Sequence, residues 1–253
     1  MKEIKQIINS VVNSYGEAAA RTIAARKRFY YPLDPADATG LLISEYKNAV
    51  EARGRQYVAD NETATRLHSI ANWLTNPNCK PSLLLNGSLP GTGKTTTARA
   101  IERMAKGLKK AFNAQEIETA RSKAAGKWIK MEDSERNTLT MCEASIIVPV
   151  FYSAMDLANM VESGKAAFEA AKRSNFLIID DLGTEPVSVK VFGNEVFPII
   201  EILQHRYAEM LPTIITTNLG LNSISDIYGP RISDRLREMC ETLYFAQSES
   251  YRR

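Results

Sequence analysis

The stretch Leu83–Met104, LLLNGSLPGTGKTTTARAIERM, decides the fold. Three leucines lead into a turn of glycines, a proline and hydroxyls, and a lysine with three threonines then opens a helical pattern. Gly91 and Gly93, with the turn at Pro90, let successive backbone N–H groups point inward at the oxygens of a polyanion. Lys94 supplies a cation and Thr95 a hydroxyl suited to Mg²⁺, and the helix that starts there adds its positive end. The expected phosphate-holding set is Pro90, Gly91, Thr92, Gly93, Lys94, Thr95 and Thr96. In a strict GxxxxGK[ST] pattern the first glycine would fall on Ser88; Gly87 stands one residue earlier, a departure confined to the entry of the loop.

Working outward, short continuous apolar runs alternate with helical stretches: SLLLN (82–86), SIIVPVFY (145–152), NFLIID (175–180), TIITTN (213–218) and TLYFA (242–246). Such runs predict strands buried on both faces, hence a parallel sheet flanked by helices with its ligand at the carboxyl strand ends. FLIIDDLG brings Asp180 and Asp181 to such an end. Asp180 is placed to hold Mg²⁺, and Asp181 or nearby Glu185 to polarise an attacking water. ATPases usually carry Asp-Glu here, so the shorter Asp181 predicts slow hydrolysis. Asn218, at the end of the next strand, can orient that water by hydrogen bonding. In YGPRISDRLREMC, Arg231 and Arg235 share one helix face. An arginine presented to a neighbour's triphosphate is worth ~10³–10⁵ in rate.

The chain has 253 residues, enough for one large domain and a small appendage. A net charge of +3 permits a nucleic-acid partner through a local basic patch without demanding one. Lys106, Lys109, Lys110, Arg121, Lys123, Lys127 and Lys130, with Arg252 and Arg253, are the candidates for single-stranded DNA contact. Cys79, Cys142 and Cys240 form no CxxC pair, so neither a disulfide framework nor a zinc ribbon is expected, and His68 and His205 read as structural. No apolar run reaches the length of a membrane span, which predicts a cytoplasmic protein without a membrane partner. Residues 1–55 read as a small helical module: Ile4, Ile7, Ile8, Val11 and Val12 recur at helical spacing, Ala18 to Phe29 continues it, Pro32 and Pro35 break it, and Leu41 to Arg53 resumes it until Gly54. Residues 56–253 form the second expected domain.

In their order, PGTGKTT, IIDDLGTEP, RYAEMLPTIITTN, GPRISDRLREM and the closing SYRR resemble the AAA+ ATPases of the DnaC/DnaI helicase-loader and IstB transposition-helper group. The resemblance covers roughly residues 56–253. It implies a P-loop sheet of the ASCE type in the order 5-1-4-3-2, ATP and Mg²⁺ as cofactors, and a nucleotide held at a subunit interface in a homo-oligomer. Lys94 and Thr95 then match Walker A, Asp180 and Asp181 Walker B, Asn218 sensor 1 and Arg235 the arginine finger, with Arg231 a second interface candidate. Too few residues follow Arg235 for a helical lid, as in this group. The function implied is an ATPase, stimulated by assembly or DNA, that loads a replicative helicase gripped by the N-terminal module. The alternatives are an IstB-like transposase helper and a nucleotide-sensing adaptor with little hydrolysis. A small-molecule kinase gives no reason for Asn218 followed by Arg231 and Arg235. The sequence departs from the group in a longer segment from Lys106 to Ala144 and in lacking the Cys/His set of the zinc-bearing DnaI type.

Overall fold

The computed structural model describes residues 29–31, 33–124 and 146–245, with side chains omitted along 112–124. The expected helices before Phe29, Cys142, Lys127, Lys130 and the closing SYRR lie outside the described residues, as do the side chains of Arg121 and Lys123.

Five parallel strands make the main sheet: β1 (Ser82–Asn86), β2 (Val150–Ser153), β3 (Leu177–Leu182), β6 (Thr213–Thr217) and β7 (Cys240–Tyr244). They lie in the order β2-β3-β6-β1-β7, while β4 (Val189–Val191) and β5 (Asn194–Val196) form a separate antiparallel hairpin. With the hairpin left out and the strands counted along the chain, the order from the opposite edge is 5-1-4-3-2, as expected. The hairpin was not anticipated. Its two-residue turn has Phe192 at φ 49° and Gly193 at φ 84°, the positive pair that a tight right-twisted hairpin requires.

Alternation along the strands divides the core in two. Leu83, Leu85, Ile178 and Ile214 face one layer, with Ala98, Ile101 and Met104 of α3 (Lys94–Ala124). Leu84, Leu177, Ile179 and Ile215 face the other, with α4 (Ala154–Ser163), α5 (Lys165–Arg173), α6 (Pro198–Ala208), α7 (Leu221–Tyr228) and α8 (Pro230–Met239) packed over it. Each such leucine or isoleucine contributes about 1.5–3 kcal/mol by leaving water. Among the described residues no helix follows α8, whose last turn runs straight into β7.

Two helices precede the first strand, α1 (Pro35–Glu51) and α2 (Asn61–Thr75). Pro35 opens α1 rather than interrupting it. The Asp34 carboxylate accepts from Ala36 N at 2.8 Å, and a proline at the first helical position gives up an N–H that would have no partner there. The boundary expected near residue 55 does not coincide with a break in packing. Tyr31, Ala38 and Leu42 are buried in the same core as Leu83 and Ile101, and α1 lies against both α2 and α3. Strand limits also shift. β2 begins only after Pro149, which has no N–H to give a ladder, and β7 begins at Cys240 rather than Thr242.

Candidate functional site

The loop between β1 and α3 is shaped by close approaches. A Cβ on Gly87 would lie 2.8 Å from the Phe245 carbonyl oxygen, so this glycine serves the packing of the loop entry against the end of β7. Gly91 and Gly93 adopt φ values of 86° and 93°, and a Cβ on Gly93 would stand 2.5 Å from the Tyr46 hydroxyl. Only glycine fits there without strain. Lys94 is 5% exposed and spans the loop from inside: its Nζ donates to Gly87 O at 2.9 Å, Leu89 O at 3.0 Å and Thr92 Oγ1 at 3.2 Å.

Thr95, in the first turn of α3, donates its hydroxyl to Asp180 Oδ1 at 3.0 Å. Thr216 on the neighbouring strand donates to the same oxygen at 2.6 Å and accepts from Asp181 N at 2.9 Å, so one hydroxyl ties both aspartates to β6. Burial raises the Asp180 carboxyl above its ordinary range, the Thr216 bond opposes this and the Asp181 charge adds to it. Between Ile179 and Leu182 the pairing of β3 with β6 shifts register, and Asp181 takes a left-handed φ of 55°. That conformation costs an L-residue roughly 1–2 kcal/mol, least for Asp and Asn.

Asp181 and Asn218 both line a cavity of about 780 Å³, together with every residue of the expected phosphate-holding set, 90–96. The Asn218 Oδ1 is buried and, among the described residues, without a hydrogen-bond partner. Buried amide oxygens are rarely left so, because an unmade hydrogen bond costs about 1–3 kcal/mol. This oxygen is therefore the atom of the site that most clearly asks for a donor from a ligand or a water. Asp180 stands behind Thr95 rather than on the cavity wall.

The other expected groups lie elsewhere. Arg235 is half-buried on α8 with its guanidinium 4.9 Å from the centroid of the Tyr207 ring, and Arg231 is exposed; neither lines the cavity of its own chain. Glu185 is buried and accepts hydrogen bonds from Gly183 N, at 2.9 Å, and from the Tyr228 hydroxyl. It does not reach the cavity, so of the two carboxylates considered for polarising water, Asp181 is the one placed there.

The sequence reading missed one whole wall. Tyr46 and Val50 of α1, the turn 53–58, and Asp60 and Thr63 complete the cavity. Their signal was the basic RGR run (53–55) after a helix stop, concealed by assigning residues 1–55 to a separate module.

A glycine-rich loop after the first strand of a 5-1-4-3-2 parallel sheet, with two aspartates at the end of another strand, defines the architecture. This is the α/β P-loop fold.

No family model matches the chain. Over 66 residues it is 41% identical to the ESX-5 secretion system protein EccA5 of Mycobacterium marinum, a match that takes in 26% of this chain and 10% of that protein. The chain therefore spans about a tenth of the length of that relative. Among solved structures it is similar to the DnaC helicase loader, with a TM-score of 0.46 and 22% identity, over 79% of this chain and 97% of that one. It is also similar to DnaI, with a TM-score of 0.46 and 16% identity, over 77% of this chain and 87% of that one.

The donor set suits a nucleotide with Mg²⁺. Among the described residues no cluster of three His, Cys, Asp or Glu could cage a metal. Thr95 and Asp180 offer hard oxygens only, the incomplete set from which Mg²⁺ keeps waters and takes phosphate oxygens as further ligands.

Proposed function

We propose that the chain is an ATP-binding and ATP-hydrolysing AAA+ protein of the DnaC/DnaI helicase-loader type, acting in DNA replication. The observation that carries this reading is that Asp181 and Asn218, whose buried Oδ1 has no partner among the described residues, line the same cavity as the phosphate loop. A loop alone serves binding; a carboxylate and an amide beside it serve the placing of a water. Lys94 and the loop amides bind the phosphates, exchanging the internal oxygens that Lys94 now contacts for phosphate oxygens. Thr95 and Asp180 would hold Mg²⁺, which when bound would supply neutralising charge to the phosphates. Asn218 orients the attacking water and Asp181 accepts its proton. Arg235, with Arg231 on the same helix face, completes the site of an adjoining copy.

A second reading, a nucleotide-sensing adaptor with little hydrolysis, is favoured by one feature, the short side chain of Asp181 held at φ 55°. The partner is a replicative helicase, met through the N-terminal region 1–55, whose described part is packed into the ATPase core. The exposed Lys109 and Lys110 on α3 are candidates for single-stranded DNA, whereas Lys106 is engaged by Glu102 at 2.6 Å. Among the described residues no helix is long and apolar enough to cross a membrane, and a cytoplasmic location accords with a replication role.

Turnover per protomer, measured against protein concentration, tests the proposal. It should rise with concentration, and Arg235→Ala should lose about 10³-fold in rate while binding ATP as before. Turnover independent of concentration and unchanged in Arg235→Ala would remove the shared site, and ATP binding with no turnover at any concentration would favour the adaptor.

A further inference from the structure

Lys94 is not alone as a cation on the cavity wall. Arg53 follows α1, where its own N–H closes the helix end onto Val50 O at 3.1 Å and Gly54, at φ 70°, turns the chain along the cavity. Its side chain is exposed toward that space, and Nη1 donates to Thr96 Oγ1 at 3.3 Å, in the first turn of α3 beside Lys94 and Thr95. Three arginines of the adjoining helices are committed to carboxylates: Arg66 to Glu62 at 2.7 Å, Arg99 to Glu102 at 3.0 Å and Arg103 to Glu45 at 3.3 Å. Among the described residues Arg53 has no such partner, and Thr96 occupies one of its five N–H donors.

We infer that Arg53 is a second cationic phosphate ligand of the site, gripping a nucleoside di- or triphosphate from the α1 side while Lys94 and the loop amides grip it from within. The inference rests on the reading of the cavity as a nucleotide site. The planar fork of a guanidinium matches phosphate oxygens in a way that a lysine's point charge does not. Held between Arg53 and the loop, the ligand joins α1 to the start of α3, so that the helix nearest the N-terminal region is anchored by the phosphates themselves.

The test uses the full chain and competition against a fluorescent ADP analogue, with ATP, ADP and adenosine as competitors in Mg²⁺. Arg53→Ala should weaken ATP and ADP about tenfold or more, and Arg53→Lys by less, since it keeps the charge and loses the fork. Adenosine, which has no phosphate, should compete equally against all three proteins. Thermal melting of the free proteins should coincide, because Arg53 is exposed. The inference is overturned if Arg53→Ala binds ATP and ADP like the wild type, or if adenosine weakens in the same proportion, which marks a merely structural role. Wild-type protein that binds none of the three overturns the nucleotide reading as well, an outcome separate from a wild type that binds and a variant that binds equally.

Discussion

At the amino ends of β3 and β6 a guanidinium is buried; at their carboxyl ends a carboxylate and an amide are. Arg206 is fully enclosed, and each donating nitrogen has an acceptor: Nε on Thr213 Oγ1 at 2.7 Å, Nη1 on Ser174 O at 2.8 Å and Lys172 O at 3.1 Å, and Nη2 on Pro212 O at 2.6 Å. Burial lowers its pKa to about 9, and the ring of oxygens answers that cost without a carboxylate. At the other end, among the described residues, Asn218 Oδ1 has no partner; Asp181 is in a left-handed conformation, and two hydroxyls converge on Asp180 Oδ1. One sheet thus satisfies its buried polar groups at one end and, among the described residues, leaves one unsatisfied at the end beside the cavity.

Three variants sharpen this contrast. Arg206→Met, similar in length and apolar, strips the donor from three carbonyls and two hydroxyls, and should cost about 3–5 kcal/mol in urea unfolding while the folded protein keeps its ATP affinity. A cost below about 1 kcal/mol would mean that the closed end is not a clamp. Lys94→Ala should lower ATP affinity about 100-fold, or about 2.7 kcal/mol, with a smaller effect on unfolding than Arg206→Met. Equal affinity by titration would contradict the phosphate loop. Thr216→Val keeps the shape but removes the donor to Asp180 and the acceptor for Asp181 N, which should cost about 1–2 kcal/mol in the same unfolding experiment. It should also raise the Asp180 pKa further, since the Thr216 bond is the largest of the influences that oppose the rise; a carboxyl titration followed by NMR checks the direction.

The open end was the legible one. Glycine, lysine and threonine at fixed spacing marked residues 90–96, which line one cavity, and Asp180, Asp181 and Asn218 stand out because polar groups at the ends of apolar runs have no packing reason to be there. What escaped depends on neighbours that spacing does not encode. Arg53 and Tyr46 meet the loop only because α1 packs on α3, whereas residues 1–55 read as a separate module, and Pro32 and Pro35 read as a break in its helical pattern although Asp34-Pro35 is an ordinary helix start. Glu185 lies two residues from Gly183 and four from Asp181, yet the fold turns it toward Tyr228. Arg206 lay inside a quoted motif, but nothing in a helical arginine's sequence context announces that it will be enclosed at 0% exposure.

The claim that the open end is a nucleotide site is tested most directly by diffraction from crystals of the full chain grown with a non-hydrolysable ATP analogue and Mn²⁺ in place of Mg²⁺. The account predicts phosphates enclosed by residues 90–96 and an anomalous peak beside Thr95 and Asp180. Crystals whose cavity holds neither at saturating analogue, or whose metal sits away from both residues, would contradict it.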